Sequence, residues 1–178
     1  MKAIALYDRG IRLYADSSML REHQPFFVPE HCESWSVRVC PAVRIDRLGM
    51  HISRRFARRY YSEIGIVGQI VPREYAGCPF DMPTEFYAMD SSFAMGRFVE
   101  LQNDGGEMVI SCEPDMRITF SPVSLGVDDA ISRLSDFMTF KTGDLIVFAD
   151  KAVVSDIAID RTVTATLDGA ESFVLRAK

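Results

Sequence analysis

Residues 35–45 read WSVRVCPAVRI, and apolar and polar residues alternate along this stretch. The odd positions are Trp, Val, Val, Pro, Val and Ile, whereas the even positions include Arg38, Cys40 and Arg44. Successive side chains of a β-strand point to opposite faces, so this period of two predicts a half-buried strand. Arg38, Cys40 and Arg44 are therefore expected to share one face of the strand.

A second apolar segment, Ile64 to Val71, follows and contains one polar residue, Gln69. Between the two segments, Ile52, Phe56 and Tyr60 recur at four-residue spacing, with arginines filling most of the other positions. This spacing is typical of a short amphipathic helix. Trp35 to Glu74 is therefore expected to form a strand, a short helix and a second strand.

Turn residues predict three hairpins elsewhere, at residues 1–14, 97–111 and 161–176. A second helix is predicted over residues 126–137, with Ser124 as its N-cap. About eight segments have the pattern of strands and only two that of helices. The sequence therefore predicts a mostly β protein.

Composition limits the class of protein. The chain has 178 residues, of which 48% are hydrophobic and 25% charged, as expected for one globular domain spanning residues 1–178. Its net charge of −5 argues against nucleic-acid and anionic-membrane partners. No apolar run is long enough to span a membrane, so a cytoplasmic protein is expected. The arginines of residues 54–59 are interpreted as a solvated helix face rather than a phosphate-binding patch.

The four cysteines, Cys32, Cys40, Cys78 and Cys112, form no Cys-x-x-Cys pair, and their spacing does not suit a zinc site. They are interpreted as free thiols. Cys40 has two interpretations. The neighbouring Arg38 would favour a reactive thiolate, whereas burial would make Cys40 a small hydrophobic residue.

Several runs of residues carry a resemblance to a known family. They are Phe26-Phe27-Val28-Pro29, Val43-Arg44-Ile45, residues 55–61 and residues 134–146. In order and spacing they resemble the fumarylacetoacetate hydrolase family, in particular its short bacterial isomerase-like and acylpyruvate-hydrolase-like members. The resemblance covers most of the chain. It implies a mixed β-sandwich roll (α+β) with a few short helices, and a homodimer.

The resemblance also implies a divalent-cation site, and the expected ligands are not present in this sequence. Members of the family bind the cation through Glu-x-Glu on the first strand and an Asp about two dozen residues later. Those positions fall on Arg38, Cys40 and Gln69. Mg²⁺ prefers negatively charged oxygen ligands. We therefore expect no divalent metal here, with Arg38 in its place and within salt-bridge reach of a carboxylate or a bound anion.

Substrate-site positions implied by the resemblance differ as well. Between the first two strands, the family has a lid that carries a catalytic His–Glu pair, and this segment is missing here. The histidines of this chain, His23, His31 and His51, are not placed together by any pattern. Two family lysines and a Thr-Gly-Thr-Pro run fall on Tyr14, Tyr87, Phe148, Ala149, Asp150 and Lys151.

Three functions follow from these features. The leading hypothesis is a family homologue that has lost metal-dependent catalysis and acts as a binding or structural subunit, as a homodimer or with a paralogous subunit. The second is an active hydrolase, isomerase or decarboxylase of a 3-acylpyruvate or related keto-dicarboxylate. Its Mg²⁺ or Mn²⁺ would be held by Glu30, Glu33 and Glu74. The third is a small carboxylate ligand bound directly by Arg38 and Arg44.

Overall fold

The computed structural model describes residues 1–20, 24–30, 34–72, 89–101, 106–112 and 116–178. Two α-helices and two 3-10 turns accompany the strands in these ranges: α1 (Arg54–Ala57), α2 (Val127–Ser135), and the turns Asp16–Ser18 and Arg58–Tyr60. The strands are β1 (Ala3–Tyr7), β2 (Gly10–Tyr14), β3 (Met19–Leu20), β4 (Trp35–Ile45), β5 (Tyr61–Pro72), β6 (Phe93–Glu100), β7 (Met108–Cys112), β8 (Met116–Phe120), β9 (Leu145–Phe148), β10 (Val153–Ile157), β11 (Thr162–Leu167) and β12 (Ala170–Arg176).

The strands form two sheets. The larger has eight strands in the order β2-β1-β9-β4-β5-β6-β3, with β10 paired to the first half of β4. It is mixed, because β1 pairs with β9 and β3 with β6 in parallel, whereas its other pairs are antiparallel. The smaller sheet is antiparallel, in the order β12-β11-β7-β8. This architecture confirms the predicted mostly β fold with a mixed, curved sheet system and short helices.

The main core fills the space between one face of the larger sheet, the smaller sheet and α2. Odd-numbered residues of β4 enter it, including the fully buried Val37 and Val39, together with Phe173 of β12 and Ile131 of α2. The opposite face of β4 is also covered, since Cys40 is fully buried. The expectation of a half-buried strand is therefore wrong: both faces of β4 are packed.

The larger sheet curls on itself. Tyr14 lies on β2 at one end of the sheet and Phe93 on β6 near the other, yet their ring centroids are 5.0 Å apart. The inner face carries the small, fully buried side chains of Ala3, Ala5 and Ala42. Small side chains allow the backbones to curve tightly around this second, smaller core. A rolled sheet with a mostly apolar interior results.

The strand pairing overturns one predicted hairpin and confirms two. β1 pairs with β2, and β11 with β12, as the turn residues indicated. The hairpin over residues 97–111 is wrong, because β6 pairs with β5 and β3, whereas β7 pairs with β8 and β11 of the other sheet. β6 and β7 therefore belong to different sheets and are not paired with each other.

Both helices are shorter than predicted. The first has one α-helical turn, and Phe56 is exposed, with the guanidinium groups of Arg55 and Arg59 4.6 and 4.9 Å from the centroid of its ring. The second begins after Gly126, which is its N-cap at φ 66°, whereas the Ser124 hydroxyl bonds to Ser121 in the preceding turn. Neither described helix is long and apolar enough to cross a membrane.

Gly96 of β6 gives a test of this packing. A Cβ there would lie 2.5 Å from the carbonyl oxygen of Ile66 and 2.6 Å from that of Ser172. Both contacts are backbone atoms that cannot rotate away, so Gly96→Ala is expected to lower the free energy of unfolding by about 1–3 kcal/mol. Urea denaturation measures the change. Gly106→Ala is the control, because nothing lies within 4 Å of its Cβ position, and an equal loss in both variants would contradict the packing.

Candidate functional site

The site lies on the inner face of the rolled sheet, where β4 and β5 pair. Arg38 of β4 is directly opposite Gln69 of β5 in the antiparallel register. Cys40, two residues along β4, points to the same face. The Nη2 of Arg38 donates a hydrogen bond of 2.9 Å to the carbonyl oxygen of Ala149. The fold thus brings together four of the positions singled out in the sequence.

Gln69 is fully buried, and in the described part of the chain only the oxygen of its side-chain amide has a hydrogen-bond partner. Its Oε1 accepts a hydrogen bond of 3.3 Å from the Tyr7 hydroxyl, and the Cys40 Sγ lies 3.9 Å from the same oxygen. Its Nε2 is buried without a hydrogen-bond partner in the described part of the chain, and so is the Nε of Arg38. Buried donors of this kind each cost about 1–3 kcal/mol unless an acceptor is supplied.

Cys40 is a thiol rather than a thiolate. Burial raises its pKa to about 12, and this outweighs the positive charge of Arg38, which acts in the opposite direction. The Asp150 carboxylate adds a smaller upward contribution. Its S–H points at the carbonyl oxygen of Arg38, 3.4 Å away. The reactive-thiolate interpretation is therefore not supported, and the interpretation as a small buried side chain is.

Tyr7 is a site residue that the sequence interpretation missed. Its pKa is raised because burial outweighs its hydrogen bond with Tyr14 and the charge of Arg38, so the hydroxyl stays protonated at neutral pH. Tyr14 is itself buried and packs against Phe93. The period of two along Ala3, Ala5 and Tyr7 was the available signal, since it places Tyr7 on the inner face.

The end of β9 and the residues that follow it border the site, but their side chains point in different directions. Ala149 supplies the carbonyl oxygen that binds Arg38, and the side chain of Asp150 is 27% exposed and lies 3.5 Å from the ammonium group of Lys151. Phe148 points the other way and is part of the main core, so its predicted place in the site is wrong. Tyr87 lies outside the described residues.

Arg44 does not join Arg38. The two share a face of β4, but six residues of strand separate them by about 20 Å. Arg44 Nη1 pairs with Glu63 Oε2 at 2.6 Å, and its guanidinium stacks on the Phe98 ring at 4.2 Å. A single carboxylate cannot bridge both arginines, so the predicted two-arginine anion site is wrong.

The expected carboxylate partner of Arg38 is also absent from the described residues, where its side chain bonds to a backbone carbonyl. Of the alternative ligands, Glu30 is exposed, and Glu33 and Glu74 lie outside these ranges. His51 is exposed and 3.6 Å from Asp136, whereas His23 and His31 are not described.

The donor set at these positions does not fit a divalent cation. A guanidinium, a protonated thiol and an amide whose oxygen already accepts from Tyr7 offer no negatively charged ligand. Among the described residues, no three His, Cys, Asp or Glu side chains are grouped so that they could hold a metal ion.

A separate groove of about 520 Å³ lies between the β1–β2 hairpin and α2. Leu6, Ile11, Leu134 and Phe137 line it, and Tyr7 borders it, but Arg38, Cys40 and Gln69 do not. Its polar side chains include Asp129, which already pairs with Arg54 at 2.8 Å. The polar side chains of the groove therefore give a weaker basis for a binding or catalytic site than the Arg38–Gln69 pair does.

The raised pKa of Cys40 predicts a pH dependence of stability. In the unfolded chain the thiol ionises above its ordinary pKa of 9.0, whereas the folded protein keeps the proton up to about 12. The unfolded state therefore binds fewer protons between pH 9 and 12, and stability falls as the pH rises through this window. Urea denaturation at several pH values should show a shallower fall for Cys40→Ala than for the wild type. Equal slopes would contradict the burial of the thiol.

Comparison with known proteins identifies the fold. No protein-family model matches the sequence, and a search of curated proteins finds no significant match. Solved structures do match. The 5-carboxymethyl-2-hydroxymuconate delta-isomerase of Mycobacterium smegmatis superposes with a TM-score of 0.80 at 16% identity, over 99% of this chain and 78% of that one.

Two further structures agree. The 2-hydroxyhepta-2,4-diene-1,7-dioate isomerase of Mycobacterium marinum gives a TM-score of 0.80 at 17% identity, over 99% of this chain and 73% of that one. The fumarylpyruvate hydrolase of Pseudomonas aeruginosa, solved with Mn²⁺ and pyruvate, gives 0.77 at 13% identity, over 99% and 89%. These neighbours are proteins of the fumarylacetoacetate hydrolase family. The chain has their fold, as the motifs predicted.

Proposed function

We propose that this chain is a homologue of the fumarylacetoacetate hydrolase family that has lost metal-dependent catalysis and acts as a binding or structural subunit. The observation that carries the proposal is the Arg38–Gln69 pair. These residues stand opposite each other on β4 and β5, where the resemblance implies carboxylate ligands. A divalent cation about 4 Å from a guanidinium would be repelled by roughly 8 kcal/mol at an effective dielectric constant of about 20.

The protonation states of the site support the same proposal. Tyr7 and Cys40 both have raised pKa values and keep their protons at neutral pH. Arg38 and the Gln69 amide nitrogen are donors, and the Ala149 carbonyl is already occupied by Arg38. Hydrolysis or isomerisation requires a group that accepts a proton near the substrate. The described inner face around Arg38 offers donors in place of such a base, and the carboxylate at its border, Asp150, pairs with Lys151.

Turnover assays distinguish this proposal from the active-enzyme hypothesis. The fold neighbours include isomerases and a fumarylpyruvate hydrolase, so an acylpyruvate and oxaloacetate are suitable test substrates. With Mg²⁺ or Mn²⁺ added, we expect the rate of substrate loss to equal that in protein-free buffer containing the same metal. A rate that depends on enzyme concentration and disappears with a chelator would overturn the proposal and favour a metal held by other residues.

A further inference from the structure

We infer that the Arg38–Gln69 pair is a metal-independent binding site for a ligand with a single carboxylate group. The inference rests on the proposed function, since it requires that no cation occupies this end of the rolled sheet. It adds the chemical class of the ligand and names the two donors that would recognise it, the Arg38 Nε–H and the Gln69 Nε2–H.

The first argument is the pair of unsatisfied donors. Gln69 is fully buried, and both its Nε2 and the Nε of Arg38 lack a partner among the described residues. The Tyr7 hydroxyl donates to the Gln69 Oε1, so the amide nitrogen is the end of the group that points away from Tyr7. Because Arg38 and Gln69 are register partners, their two free donors belong to the same patch of the inner face. An acceptor group with two oxygens satisfies both.

The second argument is charge. Asp150 and Lys151 lie next to each other, with Oδ2 and Nζ 3.5 Å apart, and largely offset one another. Arg38 remains without a carboxylate partner in the described ranges, so the site carries about one positive charge. A monoanion neutralises this charge through hydrogen bonds stronger than those of a neutral acceptor. A second carboxylate on the ligand would add a negative charge that Arg38 alone does not neutralise.

The third argument is the apolar surroundings. Val67, Val71, Phe93 and Ala149 are buried on the same inner face as the two donors. An ion pair shielded from water by such side chains is stronger than one on the surface. These residues suit an aliphatic or otherwise apolar remainder of the ligand. A short monocarboxylate combines both features, whereas a dicarboxylate or a phosphate does not.

The test uses the whole chain with a chelator present throughout. Isothermal titration with butyrate is expected to give saturable binding, whereas succinate, inorganic phosphate and the neutral isostere butyramide bind at least about tenfold more weakly. Gln69→Glu has nearly the same shape as the wild type and places a negative charge at the site, so it should abolish butyrate binding. Arg38→Met should weaken it at least about tenfold.

Arg44→Met is the matched control, because Arg44 lies on the same strand face but pairs with Glu63, and it should bind butyrate like the wild type. Unfolding curves confirm that each variant is folded before titration. No binding of butyrate, or equal binding by wild type and Gln69→Glu, overturns the inference and leaves water as the partner of the two donors. Butyrate binding that appears only when Mn²⁺ replaces the chelator overturns the proposed function instead.

Discussion

Asp144→Ala is expected to lower the free energy of unfolding by about 2–4 kcal/mol, since it removes a buried carboxylate that satisfies three hydrogen-bond donors. The carboxylate is 1% exposed and accepts three hydrogen bonds, from the Lys2 amide at 3.0 Å, the Lys2 ammonium at 2.6 Å and the Lys141 amide at 2.9 Å. These bonds join β1 to the start of β9. Loss of Asp144 therefore loosens the two strands that position Tyr7 and Ala149. Urea denaturation measures the effect.

The exposed carboxylate of Asp136 provides the control for that experiment. It is 63% exposed and lies 3.6 Å from His51, a surface pair of the kind that contributes little. Asp136→Ala should change the free energy of unfolding by less than about 0.5 kcal/mol. If the two alanine variants were equally stable, the buried carboxylate of Asp144 would not have the structural importance assigned to it.

Trp35→Ala is expected to cost about 3–5 kcal/mol, the usual range for removing a large buried aromatic side chain. Trp35 is 1% exposed, its ring meets that of Phe26 edge-on with centroids 5.8 Å apart, and its Nε1–H donates to the Pro29 carbonyl at 3.3 Å. It anchors the start of β4, three residues before Arg38. The midpoint of chemical denaturation should fall accordingly.

Phe137→Ala is the corresponding control, because Phe137 is also aromatic but 84% exposed. It should lose less than about 0.5 kcal/mol. A loss in Phe137→Ala as large as that in Trp35→Ala would show that stability does not follow burial as the fold requires.

Local patterns in the sequence were sufficient for the parts of the fold that short-range chemistry determines. The alternation along residues 35–45 predicted β4, and Asp168-Gly169 predicted the turn between β11 and β12, where both residues have positive φ. The resemblance placed Arg38, Cys40 and Gln69 in one site, and the strand register puts Arg38 opposite Gln69. Side-chain alternation and turn chemistry act over a few residues, so they can be read from the chain.

The remaining features depend on long-range pairing that leaves no local signal. Glycines at residues 105–106 indicate a change of direction but cannot say that β6 and β7 enter different sheets. The acceptor for Arg38 is the backbone carbonyl of Ala149, 111 residues away. Every residue has a backbone carbonyl, so the sequence does not indicate which one accepts this hydrogen bond. The distance that separates Arg38 from Arg44 was available from strand geometry, but the pairing of Arg44 with Glu63 required the register of β4 and β5.

Titration with Mn²⁺ tests the central claim most directly. A cation that binds only the native state raises the melting temperature, and the rise grows with the logarithm of the ratio of its concentration to its dissociation constant. We expect the melting temperature of the wild type to stay constant as MnCl₂ is added, whereas that of the triple variant Arg38→Glu, Cys40→Glu, Gln69→Asp rises slightly. A substantial rise for the wild type that grows with the logarithm of the MnCl₂ concentration and persists in Arg38→Ala would contradict the account, because the cation would then be held by ligands other than these three positions.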